Sequence, residues 1–107
     1  MSISVRDNPA ESRYEIYDEQ LLAGFAVYRL TGRRIAFTHT EVDPAFGGRG
    51  LARRLVTDAL DDVRGRGLAV LPFCPYVRTV IAANAGTYLD LVPEADRERF
   101  GLTPAGD

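Results

Sequence analysis

Three features of this 107-residue chain combine residue types and spacings that suit chemistry: the loop Gly47-Gly48-Arg49-Gly50, the single histidine His39 and the single cysteine Cys74. The loop separates a strand-like run from a helix-like one. Glycines in that position leave several backbone N–H groups unpaired around one point, and the positive end of the helix dipole adds to them. Such a place suits a phosphate or pyrophosphate. Arg49, Arg53 and Arg54 bring side-chain charge to the same region. The same glycines are also what a tight strand-to-helix turn needs with no ligand at all. His39 carries the one side chain whose ordinary pKa suits proton removal near neutral pH, although a lone histidine is more often structural than catalytic. Cys74 precedes Pro75, and proline fits the first position of a helix. That makes Cys74 an N-cap, with its sulfur expected near free helix amides that favour a thiolate. The alternative is a small buried hydrophobe.

These residues need elements to position them. Ile3 and Val5 alternate with polar neighbours as a short edge strand does, and Asp7-Asn8-Pro9 is a turn. Arg13 to Tyr17, Leu21 to Leu30 and Arg34 to Val42 read as three further strands joined by short turns, hence an antiparallel meander. Gly24, inside the longest of these, signals a bulge or a close backbone approach. From Leu51 the apolar period changes from two to about 3.6. Leu51, Leu55, Val56, Ala59, Leu60 and Val63 form one stripe, and Gly65 and Gly67 end the helix. Leu68 to Phe73 is a compact apolar run reached by a crossover, so it should lie parallel to an earlier strand. A second helix starts at Pro75, buries Val77, Val80 and Ile81, and ends near Asn84 and Gly86. Beyond Pro93 a short helix and a loose tail are expected. The prediction is one α+β domain over 1–107 with its core at about 3–92.

Composition narrows the function. Formal charge is −2, and the basic residues are scattered, which argues against specific nucleic-acid binding. All thirteen basic residues are arginine. Without lysine, neither a Walker-type phosphate loop nor Schiff-base chemistry is possible within the chain. The dinucleotide fingerprint also fails, because Arg53 stands where it needs a third glycine. One cysteine supports neither a disulfide framework nor a thiolate zinc cluster. No apolar run approaches the roughly 20 residues of a membrane span, and the first residues lack the layout of a secretory signal. A cytoplasmic protein without a metal is expected, its oligomeric state open.

The stretch Gly47-Gly48-Arg49-Gly50-Leu51-Ala52 resembles the acetyl-CoA loop of the GNAT acetyltransferase superfamily, Gln/Arg-x-x-Gly-x-Gly/Ala. Gly50 and Ala52 fill the last two fixed places, and Gly47 replaces the usual Gln or Arg. His39-Thr40-Glu41-Val42, Cys74-Pro75-Tyr76-Val77 and Tyr88-Leu89-Asp90-Leu91-Val92 are similar to a short subfamily of the yjdJ type. The resemblance runs from about Val5 to Val92. It implies a minimal GNAT-like fold with acetyl-CoA in a cleft between two splayed strands, Arg34 to Val42 and Leu68 to Phe73. It implies acetyl transfer to an amine of a small molecule or protein, with backbone amides from Gly47 to Ala52 on the pyrophosphate and a strand amide near Thr40 to Val42 on the thioester. Arg53 and Arg78 are candidate phosphate partners. The subfamily places its His and Cys at His39 and Cys74, as base and as neighbour of the acetyl group. Tyr76 and Tyr88 are candidate proton donors to the leaving thiolate, and Glu41 a candidate proton relay. The rival expectation is a CoA-binding or protein-interaction module with little turnover, because longer GNAT enzymes use extra flanking elements to build the acceptor pocket.

Overall fold

The computed structural model describes residues 2–102. Five strands form one sheet in the order of the chain: β1 (Ile3–Asn8), β2 (Arg13–Asp18), β3 (Leu21–Thr31), β4 (Arg34–Val42) and β5 (Ala69–Pro72). The first four are antiparallel neighbours, and β5 runs parallel to β4. Helix α1 (Leu51–Gly65) makes the crossover, and α2 (Pro75–Ala83) follows β5. The second helix breaks at Asn84 into the short α3 (Ala85–Tyr88). The expected α+β meander, crossover helix, parallel strand and second helix are all present.

One face of the sheet carries Tyr14, Ile16, Ala26, Tyr28, Ile35 and Phe37, all buried. The apolar stripe of α1 closes on it: Leu51, Leu55, Val56, Ala59, Leu60 and Val63 are its buried residues. Each of these leucines and valines contributes about 1.5–3 kcal/mol by leaving water. The buried phenols find partners at the far end of α1. Tyr14 donates to Asp62 (2.6 Å), and Arg66 donates to Tyr14 and Asp7 (both 3.1 Å). Val77, Val80 and Ile81 bury the inner face of α2. The segment after Pro93 holds a 3-10 turn (Glu94–Asp96), and Phe100 and Leu102 are buried, so the core runs past residue 92. The last part of the expected tail, 103–107, lies outside the described residues.

Two irregularities shape β3 and β4. Ile16 pairs with Gly24 but Tyr17 with Leu22, which leaves Ala23 as an extra residue in β3. A Cβ at Gly24 would lie 2.5 Å from Glu41 O and 2.9 Å from Val42 Cγ2, so only glycine fits there. The bulge and the close approach anticipated at Gly24 are both found. In β4, Tyr28 pairs with Phe37 and Val27 with His39, so Thr38 is bulged out.

Candidate active site

The parallel ladder covers only Arg34 to Phe37 against Ala69 to Pro72. Ala69 N donates to Arg33 O, and by regular steps Phe73 N would donate to Phe37 O. Instead Phe73 N turns back to Leu71 O (3.1 Å), and Cys74 N takes Phe37 O (2.8 Å). β5 thus leaves the sheet while β4 continues to Val42, and a fork opens between them.

The bulge at Thr38 decides what lines that fork. Phe37 O faces β5, where it accepts from Cys74 N, whereas Asp43 N faces β3, where it donates to Ala23 O. In an unbroken strand residues 37 and 43 would face the same way. The extra residue inverts the alternation, so the N–H groups of Thr40 and Val42 point away from β3, to the side β5 has vacated. A bulge that re-aims backbone groups beside a cleft is a recurrent device.

At the mouth of the fork, Asp43 caps the 3-10 turn Pro44–Phe46 by accepting from Ala45 N (2.9 Å), and the glycine loop follows. Gly50 is the N-cap of α1 at φ +71°, a left-handed conformation that favours glycine. No side chain caps this end. The first helical bond runs from Arg54 N to Gly50 O, so the amides of Leu51, Ala52 and Arg53 have no partner within the helix. Gly47 and Gly48 are exposed, Ala52 is half-buried, and Leu51 turns its side chain into the core.

The charges expected of the loop arginines are tied to partners within the fold. Arg49 is held by Asp18 at the end of β2 (2.9 Å) and lies against Phe46. Arg53 reaches Asn84 at the end of α2 (3.4 Å), and Arg54 pairs with Asp58 one turn on (3.0 Å). Arg78 is half-buried on α2, along a groove with Pro75, Thr79, Ala82 and the segment 100–102.

His39 and Cys74 approach the fork from different faces. His39 lies on the sheet face turned away from α1, where Nε2 stands 3.3 Å from Glu41 Oε1 and the ring tilts against Phe25 (centroids 6.3 Å apart). The Arg13 guanidinium lies over the Phe25 ring, 4.6 Å from its centroid, and donates to Glu15 at 2.7 Å. Next to Glu41 a cavity of about 180 Å³ is lined by Leu22, Phe25, Asp43, Pro44 and the chain at Ala23 and Gly24. Cys74 is buried and is the N-cap of α2, as its place before Pro75 predicts. Its sulfur, however, makes no cap hydrogen bond. It meets Thr40 Oγ1 at 3.4 Å across the fork. No hydrogen bond joins His39 to Cys74 among the described residues, because successive side chains of β4 alternate faces and Thr40 holds the Cys74 side.

Tyr88 is buried and donates to Asp61 of α1 (3.2 Å), which makes it a packing residue. Burial and then the Asp61 charge raise its pKa. Tyr76 is exposed on the first turn of α2. Sequence reasoning missed Thr40 as a side chain and the bulge at Thr38. The His-Thr-Glu-Val stretch carried no sign of either, because both depend on strand register.

Comparison with known proteins places this arrangement. The profile of the GCN5-related N-acetyl-transferase family matches residues 13–91. Protein NATD1 of Bos taurus is 37% identical over 59 residues, 54% of this chain and 52% of its own length, so the chain spans about half of that relative. A GCN5-like protein of Staphylococcus aureus, solved by NMR, superposes with a TM-score of 0.62 at 21% identity, over 84% of this chain and 87% of its own. N-acetylglutamate synthase from Neisseria gonorrhoeae, solved with coenzyme A and N-acetyl-glutamate, superposes with a TM-score of 0.52 at 16% identity, over 92% of this chain and 26% of its own. At those identities the superpositions establish a shared fold, and the profile match establishes membership. The chain belongs to the GCN5-related N-acetyltransferase family.

Proposed function

We propose that this domain transfers the acetyl group of acetyl-CoA to an amine. The observation that carries the proposal is the fork itself. Two strand amides, Thr40 and Val42, face its opening, and an uncapped helix start lies at its mouth. The loop from Gly47 to Ala52 would hold the pyrophosphate through backbone N–H groups, with Arg53 beside it and Arg78 as a candidate partner for a further phosphate. The strand amides would polarise the thioester carbonyl and hold the oxyanion that forms on it. An amine entering from the His39 face would attack the carbonyl carbon and pass a proton to the imidazole. The carbon–sulfur bond then breaks and CoA leaves as its thiolate. Direct transfer fits the lack of a His39–Cys74 bond. The place of Cys74 at the fork, in contact with Thr40 of the facing strand, motivates a second route, in which its sulfur takes the acetyl group first.

The test is calorimetric binding of acetyl-CoA together with release of CoA thiol in a panel of amines. Gly50→Glu puts bulk and negative charge against the phosphate, and it is expected to weaken binding at least tenfold, about 1.4 kcal/mol. Unchanged affinity in the folded variant would remove the loop from the site. Tight binding with no thiol release in any amine would favour a CoA-binding module instead.

A further inference from the structure

We infer that the cavity beside Glu41 seats the acceptor, and that the acceptor is a small cationic amine carrying an apolar body on a two- or three-carbon arm. The inference rests on the acetyl-transfer reading of the fork and adds its substrate class. The cavity, of about 180 Å³, lies on the sheet face turned away from α1, which is the face of His39. Leu22 pairs with Tyr17, Phe25 with both Glu15 and Glu41, and residues directly opposite in a ladder share a face. Leu22 and Phe25 are three apart and would point to opposite faces of an unbroken strand. The extra residue Ala23 brings them to the same one. Two walls of the cavity are also the neighbours of His39: the Phe25 ring tilts against the imidazole, and Glu41 Oε1 stands 3.3 Å from Nε2.

The walls select the ligand. Leu22, Phe25 and Pro44 are apolar, and Leu22 is 38% exposed, a large apolar side chain left open to solvent. Glu41 and Asp43 add carboxylates. Among the described residues no basic side chain lines the cavity, and Arg13, which lies over the Phe25 ring, is bonded to Glu15. Apolar surface beside carboxylates attracts a cation with an apolar part and repels a carboxylate or a phosphate. Sites for drug-sized ligands take about 300–1,000 Å³, so this one holds a single ring or a short branched chain. The fork lies across β4, one strand spacing or about 4.8 Å away, which a two- or three-carbon arm spans. Seated so, the nitrogen reaches the fork past Glu41 and His39 while the apolar body stays over Phe25. Transfer consumes the neutral amine, so the preference for a cation acts on binding and not on the bond-making step.

The test is an NMR titration of the isotope-labelled protein with 2-phenylethylamine, without acetyl-CoA. The neutral and anionic counterparts are 2-phenylethanol and 3-phenylpropionate. The amine is expected to shift the backbone signals of Leu22, Phe25 and Glu41 and to bind about fivefold tighter than the alcohol, whereas the carboxylate leaves those signals in place. Glu41→Gln and Asp43→Asn each remove one charge, and the second keeps the oxygen that accepts from Ala45 N. Each is expected to weaken amine binding about threefold. Leu22→Lys puts a cation into the cavity and is expected to weaken it about tenfold, with the rest of the spectrum unchanged. Equal affinity for amine and alcohol, or no shifts at these residues, would overturn the inference. Release of CoA thiol with this amine but without those shifts would keep the transfer and overturn the cavity as its acceptor site. Shifts with no thiol release in any amine would uphold the amine site and remove the transfer reading.

Discussion

Between Arg34 and Phe37, β4 is bonded on both sides, to β3 and to β5, and it buries Ile35 and Phe37 under α1. Between His39 and Val42 the same strand is bonded to β3 alone, and no residue is fully buried. One bulged residue, Thr38, separates the halves. The first half anchors the strand, and the second presents backbone amides and side chains to the fork. A strand serves as a cleft wall only if one part of it is fixed well enough that the other can lack a neighbour.

The largest effect should come from the anchoring half. Phe37 is buried and packs with Tyr14 and Tyr28 at ring distances of 6.2 and 6.4 Å. Phe37→Ala is expected to cost about 3–5 kcal/mol in urea unfolding, with transfer activity lost only as the fold is lost. A loss below about 1 kcal/mol would show that this half does not anchor the sheet.

The far half should behave in the opposite way. If His39 takes the amine proton, His39→Gln lowers the transfer rate by roughly a hundredfold while acetyl-CoA affinity and unfolding free energy stay near wild type. Both ring neighbours, Glu41 and Phe25, remain in place in that variant. A fully active His39→Gln enzyme would return His39 to a surface role.

The smallest expected effect sharpens the comparison on the open face of the sheet. Glu15 is buried although Arg13 and Tyr17, its neighbours on the same face of β2, are only half-buried, and it accepts from Tyr17 and Arg13 (both 2.7 Å) and from Asn8 (3.1 Å). Burial pushes its pKa up, but those three hydrogen bonds outweigh it and hold the carboxyl below its ordinary value of 4.5. A lowered folded-state pKa gives stability that is present above the unfolded value and lost as pH falls through the folded one. Wild type should therefore exceed Glu15→Gln by about 1–2 kcal/mol at neutral pH, and the gap should close in acid below the ordinary value. A gap that stays constant down the acid range would mean that shape, not charge, holds this cluster.

Much of this protein is written locally. The stripe Leu51, Leu55, Val56, Ala59, Leu60 and Val63 specified α1 and its buried face, because helical period and burial are properties of neighbours along the chain. Pro75 specified the start of α2, and Gly24 the close approach to β4, because each reflects what one residue can or cannot do. The α+β meander and the parallel fifth strand followed from turn lengths and from the crossover. The site followed only in outline. The glycine loop, His39 and Cys74 could be singled out by type, but type does not say who faces whom. Arg49 is tied to Asp18, thirty-one positions earlier in the chain. His39 meets Glu41 rather than Cys74, and the sulfur meets Thr40 rather than the helix amides. These pairings were decided by the register of β4 against β3 and by the point where β5 leaves it. A one-residue bulge exchanges every backbone group and side chain beyond it between sides. Register is set by long-range pairing, which only the folded sheet defines.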